Sequence, residues 1–190
     1  MTRIQEILVA AMGVQQHLLS DNILLARIQA VANTMIKTLQ NGGRILFCGN
    51  GGSAADAQHL AAELSGRFYI DRKPLDAEAL HVNTSFLTAV ANDYSYDEVY
   101  SRIVEAKGRR GDVLVGITTS GNSSNILLAI RKAKELGMTT VGLTGETGGK
   151  LATEVDFLLN VPSGDTPRIQ EAHIVLGHTL CELVETSLFG

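Results

Sequence analysis

Residues 44–66 read RILFCGNGGSAADAQHLAAELSG. The apolar run RILFCG, 44–49, predicts a buried strand. Three glycines, an asparagine and a serine then hand the chain to a helix from Ser53 to Gly66. Ser53 can cap that helix, and Asp56, three residues on, completes a capping-box pattern. A strand, a glycine-rich turn and a helix in this order are the opening unit of an α/β fold. The turn sits where such folds bind ligands, so its content matters for function.

The remainder of the chain repeats the alternation. AEALHV (77–82), DVLVGIT (112–118), TTVGLTG (139–145) and VDFLLNV (155–161) read as further strands. TSFLTAVAN (84–92), YDEVYSRIVEAKG (96–108), SNILLAIRKAKELG (124–137) and RIQEAHIVLGHTLCELVETSL (168–188) carry helical periodicity. Strands separated by helices predict a mostly parallel sheet covered on both faces. Residues 3–41 precede this unit and carry no strand signal. Ile4, Leu8 and Met12, then Ile28, Val31, Met35 and Leu39, recur at helical spacing, with Ser20–Asp21 as a cap between two helices. The 190 residues make one domain: helices over 1–41, then an α/β core over 44–190.

Composition excludes several partners. A net charge of −4 leaves no basic footprint, so nucleic acid is not expected. No apolar run reaches membrane length, and the amphipathic N-terminus is too mixed for a signal peptide. Cys48 and Cys181 cannot build a disulfide framework; both read as reduced and structural, which points to the cytoplasm.

Two loops follow strands one and three. The first, Gly49-x-Gly51-x-x-Ala54, fits a dinucleotide fingerprint. That fingerprint also needs an acid at the end of the second strand, and residues 81–83 are His, Val and Asn. No Gly-Lys-Ser/Thr follows, which excludes a Walker-type site. The other loop, TTSGNSS, places five hydroxyls at a helix start (Thr118, Thr119, Ser120, Ser123 and Ser124). Capping needs one hydroxyl, and five fit a cradle for one phosphate ester. TGETGGK, 144–150, reads as a turn and helix start with ligand contact open to it.

His59 and Glu63 are four apart and share a helix face. They can hold one metal ion, act as an acid–base pair, or form an ordinary surface pair. The many alanines around them suit close packing. On the last helix Gln170 and His178 are eight residues, about 12 Å, apart. One ion can take both only if the helix is irregular near Pro167 or if they come from different subunits. His173, His17 and His81 read as packing or solvated residues.

CGNGGSAADAQHLAAELSGRF, AVANDYSYDEVYSR, GDVLVGITTSGNSSN and RIQEAHIVLGHTLCELVE together resemble the sugar isomerase (SIS) superfamily, and within it the branch acting on seven-carbon sugar phosphates. The resemblance covers essentially the whole chain. It implies a three-layer, doubly wound, flavodoxin-like α/β fold with a five-stranded parallel sheet and an N-terminal helical segment. It implies a homotetramer with sites at subunit interfaces, the N-terminal helices serving assembly. It implies one zinc per subunit on His59, Glu63, Gln170 and His178, with Glu63 and His178 catalytic. Substrate and phosphate contacts would fall on Asn50, Gly51, Ser53, Asn92, Asp93, Thr118, Thr119, Ser120, Ser123 and Gln170. The implied reaction is ketose–aldose isomerisation of sedoheptulose 7-phosphate to D-glycero-D-manno-heptose 7-phosphate, feeding bacterial heptose and lipopolysaccharide-core precursors. Two rivals stand beside it. One is a non-catalytic relative that binds the replication initiator, which lacks acid–base residues at the positions of Glu63 and His178. The other is an isomerase or lyase of another sugar phosphate.

Overall fold

A computed structural model describes residues 1–190. Two helices open the chain, α1 (Arg3–Ser20) and α2 (Asn22–Gln40). Asp21 lies between them and caps α2, its Oδ1 accepting the Ile23 and Leu24 N–H groups at 3.0 Å each. The core then runs β1 (Ile45–Gly49), α3 (Gly52–Ser65), β2 (Ala77–Ala79) and α4 (Thr84–Asp93). A 3₁₀ turn at Tyr96–Glu98 leads into α5 (Val99–Lys107), followed by β3 (Val113–Ile117) and α6 (Ser124–Glu135). The chain ends with β4 (Thr139–Thr144), a 3₁₀ turn at Gly149–Thr153, β5 (Phe157–Asn160) and α7 (Thr166–Phe189).

The five strands are all parallel, in the order β2-β1-β3-β4-β5. Chain direction across the sheet reverses between β1 and β3, so their carboxyl ends flank the switch-point crevice. Every residue of β1 and β3 is buried, as expected of strands covered on both faces. Side chains alternate between the two layers. Ile45, Phe47, Val113 and Val115 pack with Met35, Leu60 and Leu180 of α2, α3 and α7. Leu46, Cys48 and Leu114 pack with Ile103, Ile126 and Ile130 of α5 and α6. Burial pushes the thiols of Cys48 and Cys181 up to about 12, so both are inert packing groups.

Several local expectations change. Ser53 does not cap α3. Gly51 takes the cap position with φ +57°, the left-handed region open to glycine, and the helix starts at Gly52. Ser53 is thereby drawn into the first turn and buried. Asp56 makes no capping bond, and its Oδ2 is buried without a partner. Burial pushes its carboxyl up, with His59 pulling the other way. β2 is three residues rather than six, and TGETGGK starts a 3₁₀ turn rather than a helix. α7 is one helix from Thr166, with Pro167 in its first turn, where a missing N–H costs nothing. The stripe Ile4, Leu8, Met12 is exposed, unlike Ile28, Val31 and Met35, which enter the core.

His173 is a packing residue, as its sequence context suggests. It is fully buried, and Nε2 donates to the Thr144 carbonyl at 3.1 Å. Burial lowers its pKa from 6.5 to about 4, against a small opposing effect of that hydrogen bond. Between these values the unfolded chain takes up a proton that the folded state refuses, so stability falls as pH falls. Urea melts of the parent and of His173→Leu should therefore diverge with pH. From pH 6.5 to 4 the parent loses stability relative to the variant, by up to about 3 kcal/mol.

Candidate active site

The loops after β1 and β3 meet at the switch point. Asn50 and Asn125 exchange side-chain hydrogen bonds, each Nδ2 donating to the other's Oδ1 at 2.9 Å. The Tyr96 hydroxyl donates to Asn50 Oδ1 at 3.1 Å, and the Tyr100 hydroxyl donates to the Gly49 carbonyl. The glycine turn is thus fixed by side chains from α5, α6 and the 3₁₀ turn. In the hydroxyl loop Thr118 Oγ1 and Ser123 Oγ lie 2.9 Å apart, and Ser120 Oγ accepts the Asn122 N–H. The loop after β4 braces it from behind. A Cβ on Gly121 would lie 2.0 Å from the Gly148 carbonyl oxygen, so only glycine allows the two loops to touch. Between the loops lies a cavity of about 300 Å³, lined by Asn50, Ser53, Thr118, Ser120, Ser123 and Gln170 among others.

Three helices begin at this cavity, and none has a side-chain cap. α3 starts behind Gly51, α6 behind Ser123 and α7 behind Asp165. Elsewhere α1, α2 and α4 are capped by Thr2, Asp21 and Asn83. Each open start presents free N–H groups and about half a positive charge. Uncapped helix starts of this kind attract anions.

α3 and α7 lie side by side from there. Gly177 admits Leu60 so closely that a Cβ would sit 2.5 Å from its side chain. This packing sets His59 Nε2 2.9 Å from His178 Nε2 and 3.2 Å from Glu63 Oε1. The donor atoms of His59, Glu63 and His178 all lie within 4.8 Å of one another. Two imidazole nitrogens and a carboxylate converging in this way fit one divalent cation such as zinc. Gln170 is not with them. It faces Gly52, where a Cβ would lie 2.4 Å from its Nε2, and it lines the hydroxyl cavity about 12 Å along α7. A four-residue ligand set within one chain is therefore not formed, because α7 runs as one uninterrupted α-helix across that span. Asn92 and Asp93 sit exposed at the end of α4, bonded to each other at 2.9 Å and outside the cavity lining.

Residues 16–145 match the SIS domain family model. The chain belongs to the SIS domain family. A Mycobacterium tuberculosis relative, named phosphoheptose isomerase, is 54% identical over 98% of this chain and 95% of its own length. A Clostridium acetobutylicum relative of the same name is 53% identical over 93% of this chain and 90% of its own. Among solved structures, phosphoheptose isomerase from Neisseria gonorrhoeae superposes with TM-score 0.90 at 46% identity, covering 97% of each chain. That from Francisella tularensis gives 0.92 at 36% identity, covering 98% of this chain and all of the other. The SIS fold is that of this group.

Tyr96, Tyr100 and Asn125 escaped the sequence reading. Their role is to hold a backbone turn, and no local pattern marks a side chain that reaches across a sheet. Asn125 carried one faint signal, an amide inside the apolar face of α6.

Inorganic phosphate should raise the melting temperature of this protein. At a hundred times its dissociation constant the gain is about 2.7 kcal/mol. Thr118→Val combined with Ser123→Ala should abolish most of that gain while the protein stays folded without phosphate. Calorimetric melts with and without phosphate check this.

Proposed function

We propose that this protein isomerises sedoheptulose 7-phosphate to D-glycero-D-manno-heptose 7-phosphate. The observation that carries the reading is the meeting of Glu63 with His178 within one donor cluster, along the same pair of helices that opens on the hydroxyl cavity. High identity to proteins named phosphoheptose isomerase supports the substrate.

The phosphate binds among the open starts of α3, α6 and α7, with Thr118, Thr119, Ser120 and Ser123 donating hydroxyls and Asn50, Gly51 and Ser53 shaping the near wall. Anchoring the far end of the sugar turns binding energy into positioning of C1 and C2. Glu63 takes the proton from C1, giving an enediol, and returns a proton at C2. His178 serves the oxygens, moving a proton between O1 and O2 and assisting ring opening. A zinc ion on His59, Glu63 and His178 would supply Lewis-acid polarisation of a sugar oxygen. A carboxylate bound to a cation is a weaker base, so Glu63 divides its capacity between the two roles.

Gln170 reaches such an ion only from another subunit, since α7 carries it away from the cluster of its own chain. Asn92 and Asp93 likewise meet the sugar from an exposed helix end. We therefore propose a homotetramer with sites completed across subunit interfaces. The exposed apolar stripe Ile4, Leu8, Met12 supplies a surface for assembly. We place the reaction in the cytoplasm, where two unpaired cysteines stay reduced.

Glu63→Gln and His178→Gln should each lower kcat about 10²- to 10⁴-fold with the fold retained. Near-normal turnover in both would remove the assignment. Subunits carrying Gln170→Ala, co-expressed with subunits carrying His178→Ala, should recover activity that neither variant has alone. Continued inactivity in verified mixed oligomers would place both residues in one chain's site.

A further inference from the structure

A buried ion pair joins the segment after α3 to α7. Arg72 Nε donates to Glu185 Oε1 at 2.9 Å, and the two side chains are 2% and 1% exposed. The Glu185 carboxylate also accepts the N–H groups of Phe68, Tyr69 and Ile70 at 2.9, 2.6 and 3.0 Å. Burial pushes its pKa up, but these donors outweigh burial and hold it below the ordinary carboxylate range. The rest of the guanidinium caps α3. Nη2 donates to the Glu63 carbonyl at 3.0 Å, and Nη1 donates to the carbonyls of Leu64 and Gly66 at 2.8 and 3.1 Å. These acceptors lie at the end of α3, where intrahelical donors run out, and the Leu64 carbonyl also accepts the Leu75 N–H at 3.2 Å.

Arg72 touches the donor cluster directly, and Glu185 reaches it through Phe68. Arg72 bonds directly to the backbone of Glu63. Glu185 lies seven residues beyond His178, on the same stripe of α7 about two turns away. It also holds the backbone of Phe68, whose ring centroid lies 5.5 Å from that of His178. A latch needed only to close the 66–76 loop would not have to reach Glu63 or seat an aromatic ring on His178.

We infer that Arg72 and Glu185 are positioning residues that set α3 against α7, so that Glu63 and His178 meet with His59 in one cation-binding and proton-transferring cluster. This rests on the isomerase reading for its kinetic consequence, but its geometric consequence is independent of turnover.

The test uses Arg72→Lys in the full-length protein. Lysine keeps a charge opposite Glu185 but replaces a planar five-donor fork with a compact ammonium. Zinc is titrated into metal-free protein against a chromophoric chelator, and kcat and KM are measured on sedoheptulose 7-phosphate. Zinc affinity should fall about 10- to 100-fold, as for the loss of a group that orients metal ligands. The kcat should fall in parallel, while KM stays within about twofold because the hydroxyl cavity is untouched. A natively folded Arg72→Lys with the parent's zinc affinity overturns the inference, and so does a raised KM with kcat retained. If Arg72→Lys does not fold, Phe68→Leu takes its place, since it keeps every backbone bond to Glu185 and an apolar side chain against the core while removing the ring beside His178 and Tyr69. A fall in its zinc affinity supports the inference, and an unchanged affinity overturns it. If the parent itself turns over no substrate while zinc affinity still falls in the variants, the isomerase reading fails and the positioning role stands.

Discussion

A helix that starts without a cap leaves N–H groups that something else has to satisfy. Four α-helices of this chain lack a side-chain cap; α5 continues directly from the 3₁₀ turn, and the other three, α3, α6 and α7, open on one cavity. The order of the strands brings them there. Because the chain reverses across the sheet between β1 and β3, the loops that follow these strands face each other. The Gly51 turn and the approach of Gly121 to Gly148 remove the side chains that would otherwise fill the gap. The positive ends of three dipoles add to a ring of hydroxyls, so no lysine or arginine is needed in the cradle.

The second half of the site depends on helix spacing. α3 and α7 leave the cavity together, and Gly177 lets Leu60 approach closely enough to hold His59 and His178 at hydrogen-bond distance. The Arg72–Glu185 pair fixes the far end of the same helix pair. In the proposed function, phosphate recognition and proton transfer occupy opposite ends of this helix pair, and a change in helix register would uncouple them. Gln170 lies at the cavity end and His178 at the cluster end. The proposed assembly through the apolar stripe of α1 would bring a second copy of either to a shared site.

The sheet was legible because β1 and β3 are short apolar runs, and β2, β4 and β5 partly apolar ones, between helical periodicities, and the strand-to-helix handover at 44–66 set the chain order. The hydroxyl loop was legible as an excess: five Ser and Thr side chains where a cap uses one. His59 and Glu63 were legible from their spacing, since four residues on a helix share a face. Ser53 was misread because Gly51 could take a left-handed turn that local propensity does not reveal, and the helix began earlier than its best cap residue. Arg72 and Glu185 carried no sequence signal at all. They are 113 residues apart, and each looks like an ordinary surface charge until the fold buries both.

Proton traffic at C1 and C2 is the central claim, and isotope exchange reads it directly. The protein, loaded with zinc, is incubated in deuterium oxide with sedoheptulose 7-phosphate and followed by NMR, with fructose 6-phosphate in a parallel sample. The account predicts conversion of the seven-carbon ketose to the aldose with deuterium entering at C2, and no conversion of fructose 6-phosphate. Seven-carbon ketose that stays unconverted, or fructose 6-phosphate converted at a comparable rate, would contradict it.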